Sequence, residues 1–240
     1  MNDAADAPPP LPPAEPRFRW RGGDGSRLEA VGDAVFALAL TMLLLSSEVP
    51  TRTSQLWIVL QEAVPFGITF AIIAMIWFAH FLFFRRYGLR DRLCVTLNFL
   101  LLFLVLLYVY PLKFVFSLVA VVVFGFDGID VVVDDQAFNL MAFYGLGFAA
   151  IYLTLTALYL HAWRLRDALA LNALERSITL QWITMHVAMV VIGIVSAGIA
   201  FAGAGPAAGL SYFAIGPAMG VLSYVFEVRR ERLTQQATNR

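Results

Sequence analysis

Six stretches of this chain are apolar over lengths that a water-soluble domain has no use for. They run from about Leu28 to Leu45, Leu56 to Phe84, Leu93 to Phe124, Ala137 to Trp163, Ile178 to Phe201 and Ala207 to Phe226. Crossing the hydrocarbon of a bilayer takes about 20 residues of helix. Sixty per cent of the 240 residues are hydrophobic and 14% are charged, where a soluble domain is about a quarter charged. So much apolar surface cannot be hidden in one small core, and lipid must cover part of it. The expected fold is all-α, an integral membrane bundle of six transmembrane helices.

The flanks differ. Residues 1–26 hold Pro8, Pro9, Pro10, Pro12, Pro13 and Pro16, then Arg17, Arg19 and Arg21. That composition cannot build a core and reads as a disordered cytoplasmic tail. No apolar stretch follows an early basic one in the way a cleavable signal requires. Residues 27–227 form the transmembrane domain and 228–240 a short basic cytoplasmic tail. The third span is long enough to tilt or to break at Pro111. Ala202-Gly203-Ala204-Gly205-Pro206 makes the last two spans a hairpin.

Charge orients the bundle. Fifteen of the seventeen basic residues fall in the N-terminal region, the second connection (Arg85, Arg86, Arg90, Arg92), the fourth connection (Arg164, Arg166, Arg176) and the C-terminal tail. Only Arg52 and Lys113 lie on the other side, and the third connection is acidic, with Asp127, Asp130, Asp134 and Asp135. Basic loops stay in the cytoplasm, so both termini are expected there.

Enzyme chemistry finds no footing. There is no HExxH, GxSxG or Walker loop. His80, His161 and His186 sit on three different helices with no carboxylate at ligand spacing, so no metal and no cofactor is expected. The single cysteine, Cys94, excludes an internal disulfide and reads as a small packed residue. Zero net charge gives no footprint for nucleic acid.

Polar groups at membrane depth are costly and informative. Asp33, His80 and Asn98 all fall toward the cytoplasmic ends of the first three spans. They either tie the helices together or fix the first helix beside a pore. His186 reads as a packing residue, and Glu62 and Lys113 lie near the outer ends of their helices. Gly216 to Gly220 fits a small-xxx-small packing pattern. On the first helix Leu38, Met42 and Leu45 recur at i, i+4 and i+7, with Thr41 beside them. The stripe either stacks into apolar rings around an axis, which can gate by dewetting, or faces lipid and other helices.

The segment Arg27-Leu28-Glu29-Ala30-Val31-Gly32-Asp33 resembles the Arg-x-x-x-Phe-Ser-Asp signature of the endolysosomal potassium-leak channel family. Trp77, His80, Asn98 and Pro111 are similar to further landmarks of that family. Its prokaryotic members carry one six-helix repeat per chain. The resemblance implies a homotetramer around a central pore in the prokaryotic inner (plasma) membrane, without a Thr-Val-Gly-Tyr-Gly filter. It implies passive passage of potassium ions through a hydrophobic constriction lined by the first helix. Carried over by position, Leu38 would be the narrowest ring, Met42 and Leu45 further layers, and Thr41 the nearby hydroxyl. Arg27, Asp33, Trp77, His80 and Asn98 would hold the helix in place. Val31 and Gly32 depart from the signature's Phe and Ser, which predicts a loosened helix start. The partners implied are the lipid bilayer, further copies of the chain, and potassium. A secondary transporter and a non-conducting scaffold are the alternatives.

Overall fold

The computed structural model of the protein describes residues 18–23, 27–45, 50–126, 129 and 137–238. The helices are α1 (Arg27–Leu45), α2 (Thr53–Tyr87), α3 (Arg92–Phe124), α4 (Ala137–Arg164), α5 (Ala173–Phe201), α6 (Gly205–Leu210) and α7 (Ile215–Thr238). A single 3-10 turn, Ser211–Ala214, joins the last two. Six segments are long and apolar enough to cross a membrane: five of them lie in α1 to α5, and the sixth is Ala208–Glu231. The protein is a multi-pass membrane protein. The acidic third connection, the N-terminal residues through Arg17 and those at 24–26 lie outside the described residues.

Proline does not break α3. The helix runs through Pro111, because Val109, Leu112 and Val115 are buried on both sides of it in one core. The break falls instead in the sixth span, at the 3-10 turn. Pro206 stands in the first turn of α6 and Pro217 in the first turn of α7, where a missing N–H leaves no hydrogen bond unmade. α7 then continues past Phe226 and takes in Arg229, Arg230 and Arg232, a stretch that reads in sequence as a tail. Arg230 anchors this extension: it donates to Gln181 on α5 at 2.5 Å and pairs with Glu227.

α5 also starts earlier than its apolar run. Asn172 and Glu175 form a reciprocal cap, in which each side chain accepts from the other's backbone N–H at 2.8 and 2.9 Å. Asn-x-x-Glu is a capping signal of this kind.

Part of the N-terminal region is built into the bundle. Phe18 is buried and meets Tyr87 edge-on at 5.5 Å. The backbone N–H groups of Arg21 and Gly22 donate to the Arg85 carbonyl at 3.1 and 3.0 Å. The fully buried Glu175 carboxylate accepts from the Arg19 N–H at 3.0 Å and from the Arg21 guanidinium at 2.7 Å. Residues 18–23, which composition assigns to a disordered tail, therefore form a strap from the end of α2 to the start of α5. A buried carboxylate needs such partners. Gly22 belongs in the strap because a Cβ there would stand 2.4 Å from the Phe84 carbonyl oxygen.

α1 packs on α2 and α3, α4 lies between α3 and α5, and α7 packs on α5. The closest crossing is α4 with α5. A Cβ on Gly145 would meet the Gly193 carbonyl oxygen and the Ala197 nitrogen at 2.8 Å; one on Gly193 would meet the Gly145 carbonyl oxygen at 2.8 Å. Gly145 with Ala149, and Gly193 with Ala197, are both small-xxx-small pairs. Around Gly216 and Gly220 nothing lies within 4 Å of an added Cβ, so among the described residues those two glycines make no close helix crossing.

We expect Gly193→Leu to lower the thermal unfolding midpoint in detergent, by an amount equivalent to about 1–3 kcal/mol. Gly198→Leu, where an added Cβ meets nothing within 4 Å, should leave it unchanged. Circular dichroism melts of both variants check this.

Candidate pore-lining helix and its anchors

α1 has two faces that its sequence does not distinguish. Glu29, Gly32, Phe36, Ala39 and Leu43 are buried, at helical spacing, against α2 and α3. Ala34, Leu38, Thr41 and Leu45 recur at i, i+4, i+7 and i+11 on the opposite side, and all four are exposed in the chain. Leu38 is 51% and Leu45 76% accessible. Met42 is half-buried and sits at the border. The uncovered line thus runs through Thr41 rather than Met42, and it includes Ala34, which hydropathy alone gives no reason to single out. The Thr41 hydroxyl donates to the Ala37 carbonyl at 2.8 Å. Its proton is used within the helix, and its lone pairs point outward.

Two hydrogen bonds anchor the basic end of α1 and its neighbours. The Trp77 indole N–H on α2 donates to Asp33 at 2.8 Å. One turn further along α2, His80 Nε2 bonds Asn98 Oδ1 on α3 at 2.6 Å, with both residues buried. Arg85 Nε lies 3.6 Å from the Glu29 carboxylate, and the Arg85 guanidinium stands over the rings of Trp20 and Phe81 at 5.6 and 5.4 Å. Asp33, Trp77, His80 and Asn98 are therefore brought together as two pairs. Arg27, at the first position of α1, is exposed and stands outside this layer.

The two departures from the family signature have different fates. Val31 is exposed, so the chain's own core does not depend on it. Gly32 is buried, and a Cβ there would lie 2.6 Å from His80 Cε1. The imidazole fills the space a side chain would take, and the helix runs unbroken from Arg27 through Gly32.

Other polar residues sort by packing. His186 is buried among the rings of Tyr159, Trp182 and Tyr152 at 5.0, 5.5 and 5.9 Å. Glu62 on α2 interacts electrostatically with Lys113 on α3. His161 does meet a carboxylate: its Nε2 lies 3.0 Å from Asp91, and the Cys94 thiol also bonds Asp91. Burial works to raise the Asp91 pKa, but donation from His161 and Cys94 outweighs it and holds the carboxyl below its ordinary value. Sequence spacing hides this cluster, because seventy positions separate Asp91 from His161.

The six-span helical bundle has counterparts among known membrane channels. The family model described as endosomal/lysosomal potassium channel TMEM175 matches residues 27–108. A potassium channel of Marivirga tractuosa is 40% identical over 169 residues, 67% of this chain and 68% of that protein. A potassium channel of Streptomyces collinus is 32% identical over 94 residues, 37% of this chain and 46% of that one. The crystal structure of a variant of the potassium channel MtTMEM175, in complex with a nanobody–MBP fusion, superposes with a TM-score of 0.75 at 34% identity. It covers 89% of this chain and 98% of that one. The lysosomal potassium-selective channel TMEM175 homolog from Chamaesiphon minutus shares the fold, with a TM-score of 0.53 at 24% identity over 85% of this chain and 96% of that one. The chain belongs to the TMEM175 family.

Gly32→Ala should push the His80 ring away from Asn98 and destabilise the protein by about 1–3 kcal/mol, the usual penalty for leaving a buried polar group unpaired. Thermal melts of Gly32→Ala beside Ala34→Gly, on the exposed face, measure it. An unchanged midpoint in Gly32→Ala would show that the contact is slack.

Proposed function

We propose that this chain is the subunit of a passive, potassium-permeable cation channel whose conduction path is lined by the uncovered face of α1. Family membership supports the activity. The observation that carries the site is the line Ala34, Leu38, Thr41 and Leu45, left exposed directly opposite the face that α2 and α3 hold. Four copies around a common axis would turn it into stacked rings. Leu38 forms the narrow apolar ring, which resists wetting and sets the conductance. Thr41, with its hydroxyl proton already committed to Ala37, offers a partially dehydrated cation oxygen lone pairs next to that ring. Leu45 lines the layer beyond it, and Met42 packs at the seam between copies. Asp33–Trp77 and His80–Asn98 fix the tilt of α1, so the ring diameter is set by hydrogen bonds outside the path.

In this reading the chain sits in the cell membrane of a prokaryote. The end carrying Arg85, Arg86, Arg164 and Arg176 faces the cytoplasm, together with both termini. Potassium is the permeant ion, moving down its gradient with no chemical step and no cofactor. A carrier would need an ionisable site free to load and release its ion. Glu62, the acid nearest that description, lies within electrostatic reach of Lys113.

Proteoliposomes loaded with potassium and diluted into sodium medium test the proposal. Wild-type protein should release potassium above empty vesicles, without saturation by a counter-ion. Leu38→Ser should raise the flux several-fold by wetting the ring. No flux from wild type, or no effect of Leu38→Ser, would overturn the pore assignment.

A further inference from the structure

We propose that Asp91, Cys94 and His161 form a binding site for a divalent transition-metal ion of the zinc type, at the basic end of the α3–α4 pair. One ligand atom from each residue, a carboxylate oxygen, the thiol sulfur and an imidazole nitrogen, lies within 4.8 Å of the other two. The donors come from two helices that only the fold brings together. Asp91 is the N-cap of α3, Cys94 lies in the first turn of α3, and His161 lies in the last turn of α4.

The chemistry of the set is selective. Thiolate with imidazole suits zinc, cobalt and their neighbours, not magnesium or calcium, which take oxygen ligands. Tetrahedral zinc with ordinary bond lengths separates an oxygen from a nitrogen ligand by about 3.3 Å and a nitrogen from a sulfur ligand by about 3.6 Å. The Asp91–His161 separation of 3.0 Å is already close to the first value, so the ion enters by a small spreading of that pair and closure of the sulfur. Three protein ligands leave a fourth position for water. The Asp91 side chain is 43% accessible and gives the ion a way in.

The surroundings favour a cation. His161 stands at the carbonyl end of α4, the negative end of its dipole. Asp91 Oδ2 accepts from the Leu93 N–H at 3.2 Å, so one oxygen keeps capping α3 while the other turns to the metal. That bond orients the ligand from behind. Binding forms a sulfur–metal bond and breaks the S–H bond, and the proton passes to solvent. His161 gives up the Nε2–H that it donates to Asp91, its ring proton moving through solvent to Nδ1, so that hydrogen bond is replaced by two bonds to one ion, and α3 is pinned to α4 at the end where the proposed pore opens to the cytoplasm.

The test uses tag-free, full-length protein in detergent, reduced and stripped with chelator, titrated with Co2+ alone. A sulfur-to-cobalt charge-transfer band should rise and saturate at one ion per chain, and Zn2+ should bleach it. Cys94→Ser should abolish the band. His161→Gln, which preserves a hydrogen bond to Asp91, should weaken binding by at least about a hundredfold, the upper range of losses from outer-shell changes alone. No band in wild type would overturn the proposal, and that experiment needs no variant to fold. A band unchanged by both His161→Gln and Asp91→Asn would also overturn it, since the ion would then sit on an isolated thiol. The readout is independent of ion flux, so it stands or falls apart from the pore assignment.

Discussion

A polar atom inside a bilayer has only the protein to bond to, and in this bundle cross-helix bonds answer that constraint at several of the helix contacts. His80 with Asn98 joins α2 to α3. The Tyr108 hydroxyl donates to the Tyr144 carbonyl and joins α3 to α4. Tyr87 with Thr179 joins α2 to α5, and the Ser196 hydroxyl joins α5 to Ala208 in α6. Other buried hydroxyls, Thr154 and Thr156 among them, turn back on their own helices. Helices in lipid gain little from apolar contact with one another, so these few bonds and the close Gly145–Gly193 crossing carry much of the specificity of assembly.

The density of polar ties rises toward the basic end. There the strap of residues 18–23 lies over the ends of α2 and α5, with Glu175 as its fixed point. Arg86 is stacked between Phe18 and Trp182 at 5.2 and 4.9 Å. The same arginines that mark the expected cytoplasmic side thus serve inside the protein. A guanidinium can lie on an aromatic face and still present donors at its edge. Charge asymmetry and structural stiffness share one origin, which is why α1 is anchored most firmly at the end where it begins.

Hydropathy made the six spans legible, and the alternation of arginines made the two ends distinct. The strap was hidden because its composition, rich in proline and glycine around it, averages to a disordered signal. The cue was Phe18 and Trp20, large apolar residues two apart within a basic run. The pattern at Gly145 and Gly193 was as visible as the one at Gly216 and Gly220, but spacing cannot tell which pair meets a neighbour. Cys94 reads as packing until the fold brings Asp91 and His161 to it. The division of α1 into a held and an uncovered face is absent from a helix that is apolar nearly all round. It emerges only once α2 and α3 have chosen a side.

That uncovered face has a texture that bears on what covers it. Ala30, Ala34, Ala37 and Thr41 form a ridge of small residues at i, i+4, i+7 and i+11, and all of them are exposed. Leu38 and Leu45 flank the ridge on one side and Leu44 on the other. A face meant only for lipid gains nothing from such a groove, because acyl chains adapt to any apolar contour. A face meant for another helix gains close backbone approach, and with it the dispersion contacts that drive association in lipid. In the proposed assembly Ala30 and Ala37, on the flank of the path-lining residues, let a neighbouring copy of α1 come close while Leu38 and Leu45 project toward the axis. One helix face then serves both as the seam between subunits and as the wall of the throat, and a change in how tightly the copies pack is a change in the width of the path.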